Sequence, residues 1–498
     1  MYKFIGLTGD LGFLRIGTAV PELRVADVDF NVGKMLELAR QAADEGVQVL
    51  AFPEMAITAY TIGDLVQQQA LLTRVERSLG LLLDESINHN MIILAGLPLS
   101  VDGKIFNCAA VLYRGRVMGV VPKTYIPNYK EYYEERWFAS GSDAATDHLD
   151  IFNTHVPFGA DLLFAIQGMP AATFGIEICD DLWIPFSPHE YQAVMGATLL
   201  LNLSASNEIL TKADWRRTLV AAESGRCAAA YCYVSVGIGE SSNDLVFGGH
   251  SLIAENGNIL KESQRLQPGA QLLIADIDLD RLAYERRAIT SLQQPHSHSR
   301  PFRVVEIEMG DVSASKLHRE IDPHPFVPRD PARRAERCRD IFAMQVAALA
   351  KKLTGSGLEH IVLGVSGGLD STLALLVAAR TMDFVGLPRE NVHAFTLPGF
   401  GTTSRTKSNA LSLCKALKVS YSQVSILRSC KAHMADLKHK GDEDVVFENV
   451  QARYRTEFLF NKANELNAIV LGTGDLTEVA LGWCTFSGDH MSHYDANV

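Results

Sequence analysis

From about Leu14 to Leu279 short apolar runs alternate with longer stretches of amphipathic spacing. The mostly apolar runs Val47 to Phe52, Met91 to Leu97, Ala172 to Ile178 and Thr198 to Leu203 are too short for helices, which predicts buried strands. Between the first two, Val32 to Ala43 sets Val32, Met35, Leu36, Ala39 and Ala43 at helical spacing, so this half reads as layered α/β. Turn signals at Arg114-Gly115, between Ala109–Tyr113 and Val117–Val121, and at Glu255 to Asn258 after Ser251–Ala254 predict hairpins. A sheet with both hairpins and helical crossovers is mixed.

From Gln293 to Arg333 the pattern dissolves into His, Pro, Ser and Arg, which reads as a linker. His296, His298 and His324 belong to that prolyl connector and are given no metal site. Beyond it, Ala335 to Lys352 and Thr372 to Arg380 read as helices, and Ile361–Val365, Val392–Thr396, Val419–Val424 and Ala468–Leu471 as strands, a parallel Rossmann-like order. The expected division is residues 1–292, a connector over 293–333, and 334–498.

Composition narrows the class. A chain of 498 residues exceeds one ordinary core, and 47% hydrophobic with 21% charged residues is the balance of a folded protein. No apolar run approaches bilayer length, so a soluble protein with no membrane partner is expected. A net charge of -12 argues against a general nucleic-acid binder, since phosphate backbones are held by clustered Lys and Arg. Eight cysteines without a CxxC pair favour a reduced cytoplasmic protein over a disulfide framework or a zinc site, and Met1 to Leu14 lacks the unbroken apolar stretch of a secretory signal.

Two sets of residues carry candidate chemistry. Cys179, Glu54 and Lys123 each follow a predicted strand, and three strand ends can converge on one pocket. Amide cleavage needs a strong nucleophile, a base that later protonates the departing ammonia, and a cation where oxyanion charge develops, roles that Cys179, Glu54 and Lys123 fit. In the second half, Ser366-Gly367-Gly368-Leu369-Asp370-Ser371 is a polar turn between a buried strand and a helix opening at Thr372. Glycines let backbone amides approach phosphate oxygens, serines add donors, and the helix N-terminus favours an anion. No lysine follows the glycines, so this is not the ordinary P-loop. Asp370 is a candidate magnesium ligand, and Glu478, after Leu471-Gly472-Thr473-Gly474-Asp475, a second carboxylate for it. Cys414, Cys430 and Cys484 lack an acid–base partner and are read as packing residues.

The segments AFPEMAITAY, VPKTYIPNYKEYYEERWFASG and GIEICDDLW resemble the signature regions of the nitrilase superfamily, in particular its glutaminase branch. The resemblance implies an αββα sandwich with a Glu54-Lys123-Cys179 triad. It also implies a second glutamate, for which Glu134 is the first choice and Glu131 the other, and a pocket-lining Tyr60; on residue types alone, Tyr125 to Phe138 reads as a solvated surface. SGGLDS resembles the pyrophosphate loop of N-type ATP pyrophosphatases, which implies ATP contacts from Ser366, Gly367, Gly368, Asp370 and Ser371. TLPGFGTTSRT at Thr396 to Thr406, ENVQARYR at Glu448 to Arg455 and the Leu471 to Glu478 segment resemble the NAD synthetases. That match implies Thr396 and Thr473 on ATP, and Asn449 and Arg453 on the dinucleotide.

The two signatures in this order resemble the glutamine-dependent NAD synthetases. The resemblance implies ammonia released from glutamine at the first site and used at the second, where ATP and Mg2+ adenylate the nicotinate carboxylate of deamido-NAD. It implies a homo-oligomer as well. An amidohydrolase with a nucleotide-sensing second domain is the alternative. The family's synthetase domain runs well beyond the stretch that ends this chain at Val498, so the expectation is a domain incomplete at its C-terminus with impaired or absent synthesis.

Overall fold

The structure is a computed structural model and describes residues 11–169, 171–294, 301–310, 316–400, 404–488 and 490–497. His296, His298 and 401–403 of the TLPGFGTTSRT segment lie outside the described residues, as does most of the N-terminal stretch ending at Leu14. The chain forms two compact units, Met1–Ile321 and Asp322–Val498.

In the first unit the strands are β1 (Phe13–Val20), β2 (Val49–Ala51), β3 (Ile92–Val101), β4 (Lys104–Tyr113), β5 (Arg116–Pro122), β6 (His148–Ile151), β7 (Thr154–Pro157), β8 (Leu162–Ile166), β9 (Thr173–Ile178), β10 (Leu199–Ser204), β11 (Ala230–Ser235), β12 (Leu252–Glu255), β13 (Asn258–Glu262), β14 (Gln271–Asp278) and β15 (Arg303–Ile307). One sheet runs β14-β1-β2-β3-β4-β5 and the other β13-β12-β11-β10-β9-β8-β15, both mixed. Strand residues alternate between two cores. Leu199, Leu201 and Leu203 of β10 enter the core between the sheets with Ile16, Leu94 and Val111, whereas Leu200 faces the outer helices α3 (Pro188–Val194) and α4 (Lys212–Arg226). On the far side α1 (Val28–Asp44) and α2 (Gln69–Ser86) bury Val32, Met35, Leu38, Val75 and Leu79 against the first sheet. The result is an αββα sandwich, and strands with both faces covered explain why the sequence runs are apolar without alternation.

Both expected hairpins form. Arg114 and Gly115 take φ of 44° and 73°, and Asn256 and Gly257 take 45° and 85°, the left-handed pair that a two-residue hairpin turn needs. The expected linker needs correction: Arg303–Ile307 is a strand paired in parallel with β8, its Val305 and Ile307 packing into the inter-sheet core. Sparse alternation within a His- and Pro-rich stretch hid this edge strand, whose outward residues are polar or exposed.

The second unit carries β16 (His360–Gly364), β17 (Val392–Thr396), β18 (Ser420–Gln423), β19 (Ala468–Gly472) and β20 (Tyr494–Asp495), all parallel, in the order β18-β17-β16-β19-β20. Helices α5 (Leu279–Ala288) in the first unit and α6 (Pro331–Ser356), α7 (Leu369–Val385), α8 (Ser404–Leu417), α9 (Leu427–Asp436), α10 (Val445–Leu466) and α11 (Leu476–Leu481) in the second complete the set. Strand order reverses between β16 and β19, and such a switch point opens a crevice at the carboxyl ends of the strands. Helix α7 starts at Leu369 rather than Thr372, so Asp370 and Ser371 are its first turn. Cys414 and Cys430 are buried as packing residues, but Cys484 is exposed. Among the described residues no helix is long and apolar enough to cross a membrane.

Candidate active sites

The loop after β2 carries Glu54, and its path depends on Gly96 of β3. A Cβ on Gly96 would lie 2.3 Å from the Pro53 carbonyl oxygen and 2.5 Å from the Met55 nitrogen. Only a glycine admits so close a backbone. Lys123 leaves the end of β5, and Cys179 opens a short 3-10 turn, Cys179–Leu182, at the end of β9. Cys179 has φ of 47°, a left-handed conformation that costs a non-glycine residue free energy and persists where surrounding contacts impose it.

Glu54 and Lys123 meet in a dry cluster with Glu134. Lys123 Nζ donates to Glu54 Oε1 at 2.8 Å and to Glu134 Oε1 and Oε2 at 2.8 and 2.9 Å, with all three side chains essentially inaccessible. The Tyr60 hydroxyl donates to Glu134 at 2.7 Å, and Asn107 Nδ2 donates to Glu54 Oε1 at 2.7 Å. Glu54 Oε2 is buried and has no hydrogen-bond partner. Glu131 lies elsewhere, accepting from Asn207 at 2.8 Å. Burial opposes the ammonium of Lys123, but Glu134 and Glu54 outweigh it and hold the group well above the usual lysine range. Burial pushes the Glu134 carboxyl up, against the pull of Lys123. The Cys179 thiol is raised too, by burial first and then by Glu54, while Lys123 acts in the opposite sense, so the sulfur is within electrostatic reach of both. Tyr60 is raised by burial and by Glu134.

Several residues at this site carried no sequence signal. Asp181 accepts from the backbone N–H groups of Ile178 at 2.9 Å and Tyr125 at 2.8 Å, tying the Cys179 turn to the segment after Lys123. Burial, then the charge of Glu177, pushes it up to about 8. Glu240 accepts from the backbone N–H groups of Tyr60 at 2.8 Å and Thr61 at 2.9 Å, fixing the tyrosine's approach. Lys212 bonds Asn207 and lies over the rings of Trp183 and Tyr132, a mostly buried cation lowered by burial and sensitive to Cys179. Each was an ordinary polar residue until the fold gathered them.

In the second unit Ser366, Ser371, Thr396 and Thr473 line a cavity of about 360 Å³ at the β16–β19 switch point, with Arg455, Thr456 and Met491. Gly367 has φ of 84°, which its lack of Cβ permits, and Gly368 N–H donates to Ser366 Oγ at 3.1 Å, closing a turn ahead of α7. Asp370 is exposed on the first turn of α7, and Gly368 is exposed beside it. Glu478 accepts from the Asp475 N–H at 3.1 Å in the capping box of α11. Asp495, unforeseen, accepts from the Gly474 N–H at 3.1 Å. Thr396 Oγ1 donates to the Val365 carbonyl at 3.1 Å. Asn449 is half-buried and Arg453 exposed on α10, and neither lines this cavity, whereas Arg455, two residues on, does so and donates to the Leu397 carbonyl at 3.2 Å.

Two family models match the chain: carbon-nitrogen hydrolase over residues 15–287 and NAD synthase over residues 341–495. The glutamine-dependent NAD(+) synthetase of Mycobacterium leprae (strain TN) is 41% identical over 500 residues, covering 98% of this chain and 73% of the relative. That of Mycobacterium tuberculosis (strain ATCC 25618 / H37Rv) is 40% identical over 501 residues with the same coverage. A crystal structure of a glutamine-dependent NAD(+) synthetase from Cytophaga hutchinsonii aligns at TM-score 0.48 and 20% identity, over 96% of this chain and 78% of that one. The first unit thus falls in the carbon–nitrogen hydrolase class and the second among NAD synthases. With both in one chain and 40% identity along nearly all of it, the chain belongs to the glutamine-dependent NAD(+) synthetase family.

Proposed function

We propose that the first unit releases ammonia from glutamine at Cys179 and that the second uses it, with ATP, to amidate deamido-NAD to NAD. Glu54 takes the thiol proton, and the sulfur attacks the side-chain amide carbon. Lys123 faces the oxyanion, Glu54 returns its proton to the departing ammonia, and water hydrolyses the thioester. Glu134, held by Tyr60, pins Lys123 in place. Lys212 is the cation suited to the substrate's α-carboxylate, and Tyr60 lines the glutamine pocket. The observation that carries this reading is the dry Glu54–Lys123–Glu134 cluster beside a strained cysteine, with one glutamate oxygen left for a proton.

At the second site, the Ser366–Ser371 turn with Gly367 and Gly368 receives the pyrophosphate of ATP, and Thr396 and Thr473 contact the nucleotide. Asn449 and Arg453 hold deamido-NAD, with Arg455 the better-placed cation for the cavity itself. Asp370 and Glu478 offer the all-oxygen donor set that Mg2+ prefers, and the ion would neutralise charge on the phosphates. Adenylation of the nicotinate carboxylate releases pyrophosphate and makes the carbonyl reactive, and ammonia then displaces AMP to form the amide. All eight cysteines are free, which supports a reducing cytoplasmic setting. Homo-oligomerisation is part of the same reading and is tested by light scattering during size-exclusion chromatography.

One reaction assayed for glutamate, AMP, pyrophosphate and NAD tests the whole scheme. Cys179→Ala is expected to abolish NAD formation from glutamine and to leave formation from added ammonia intact; glutamine-dependent synthesis surviving in that variant would refute the nucleophile.

A further inference from the structure

Behind Cys179 a row of charges of alternating sign runs inward from the surface. Exposed Arg226 donates to both oxygens of Glu223 at 2.9 and 2.7 Å. Glu223 Oε2 faces Nε2 of His189 at 3.2 Å, and Nδ1 of His189 faces Glu177 Oε2 at 3.0 Å. The backbone N–H of His189 donates to that same Glu177 oxygen at 3.1 Å. Glu177 Oε1 accepts from the Tyr231 hydroxyl and from Asn202 Nδ2 at 3.0 Å, and Asn202 Nδ2 also approaches the Cys179 carbonyl at 3.5 Å. The Glu177 carboxylate can only accept, which fixes the amide with Nδ2 towards it, and Ser204 Oγ donates to Asn202 Oδ1 at 2.6 Å on the other side.

An imidazole with a carboxylate at each nitrogen must donate from both, so the ring is an imidazolium. Burial works against that charge, but Glu177 and then Glu223 overcome it and raise the ring to about 10. Glu177 is a fully buried carboxylate, and the His189 side chain that offsets it is 1% exposed. Cys227 completes a group of three metal-capable side chains with His189 and Glu223, but both imidazole nitrogens are engaged and burial raises the thiol to about 12, so ion pairing accounts for the group. Glu177 stands two residues before Cys179 and in register with Asn202 across β9 and β10. Fixing this pair fixes the last pleat of the strand and the backbone from which the strained Cys179 departs.

We propose that His189 is a positioning residue of the glutaminase site: clamped between Glu177 and Glu223, it locks the Glu177–Asn202 pair and through it the backbone of Cys179. The proposal rests on Cys179 being the nucleophile. In the full chain, His189→Gln is expected to lower glutaminase kcat about tenfold, a cost typical of a slightly misplaced reacting group, with KM for glutamine within about twofold. Ammonia-dependent NAD synthesis stays at the wild-type rate. Glu177→Gln combined with His189→Gln removes both charges while keeping an acceptor for Asn202 and Tyr231, and is expected to recover most of the lost kcat. Wild-type kcat in His189→Gln, a loss shared equally with ammonia-dependent synthesis, or no recovery in the double variant would overturn the role. If His189→Gln is insoluble, Glu223→Gln decides: kcat reduced about threefold at constant KM supports the clamp, and unchanged kcat overturns it. Cys179→Ala run alongside separates the two readings. Retained glutaminase there refutes the nucleophile, whereas its loss beside a normal His189→Gln refutes the clamp alone.

Discussion

A lysine with no access to water is held at the first site by two carboxylates, and its charge is secure only while both remain. Removing one partner of such a buried pair leaves an uncompensated group, at a typical cost of about 3–5 kcal/mol, so Glu134→Gln is expected to destabilise the first unit as well as slow it. Glu54→Gln tests the proton-transfer role more directly. Its amide cannot take the thiol proton, and glutaminase kcat is expected to fall by about 10²–10⁴-fold with ammonia-dependent synthesis unchanged. His189 makes a prediction about stability against pH. Its folded value, about 10, lies above the ordinary histidine value of 6.5, so the folded state binds the proton more tightly. The stabilisation is therefore complete below pH 6.5 and is lost as pH rises towards 10. Melting curves of wild type and His189→Gln should differ most near pH 6 and converge by pH 10; a gap independent of pH would refute a charged His189.

Elements place these residues, and the strand ends were the legible part. Pro53-Glu54, Pro122-Lys123 and Ile178-Cys179 each close an apolar run, and residues after a strand in an α/β layer stand where ligands bind. The switch point was legible in the same way, since Ile361–Val365 and Ala468–Leu471 run into glycine turns. Side chains that act across elements were not. Glu177 sits near the end of its strand as a single acid among apolar neighbours, His189 lies in the first turn of a short helix, and no spacing links either to Asn202 or Tyr231; only the packing of β9, β10, β11 and α3 does. Glu134 was in a run whose Tyr, Lys and Glu content reads as a wet surface, and its neighbours Tyr125, Tyr129 and Tyr133 are indeed exposed. Strand β15 escaped because an edge strand with few apolar residues lacks the pattern of a buried one. Gly96 gives an element-level test. Gly96→Ala drives a methyl into the Pro53–Met55 backbone and should cost about 1–3 kcal/mol of stability. Glutaminase activity should drop with it while synthesis from ammonia persists. An alanine variant with normal glutaminase would mean that the Glu54 loop tolerates displacement.

At the scale of the whole molecule, each unit has its own apolar core, one built on the paired sheets and the other on β16, β17 and β19 with their helices. Separate cores allow the two chemistries to be disabled independently. Asp370→Ala should abolish synthesis from both glutamine and ammonia, whereas Cys179→Ala should abolish only the first. Separate cores do not imply independent turnover. Ammonia freed into water at neutral pH is mostly protonated and no longer a nucleophile, so hydrolysis in the absence of an acceptor wastes glutamine. A chain that carries both sites gains if occupancy of the second raises turnover at the first, which requires the ligands of one site to bind more tightly to the active state of the other. Glutamine hydrolysis is therefore expected to quicken when ATP and deamido-NAD are both supplied, and Asp370→Ala, which removes the proposed metal ligand, should abolish most of that increase while leaving the basal rate. Equal glutamate production with and without the second site's substrates would show that the two units share a chain without sharing a cycle.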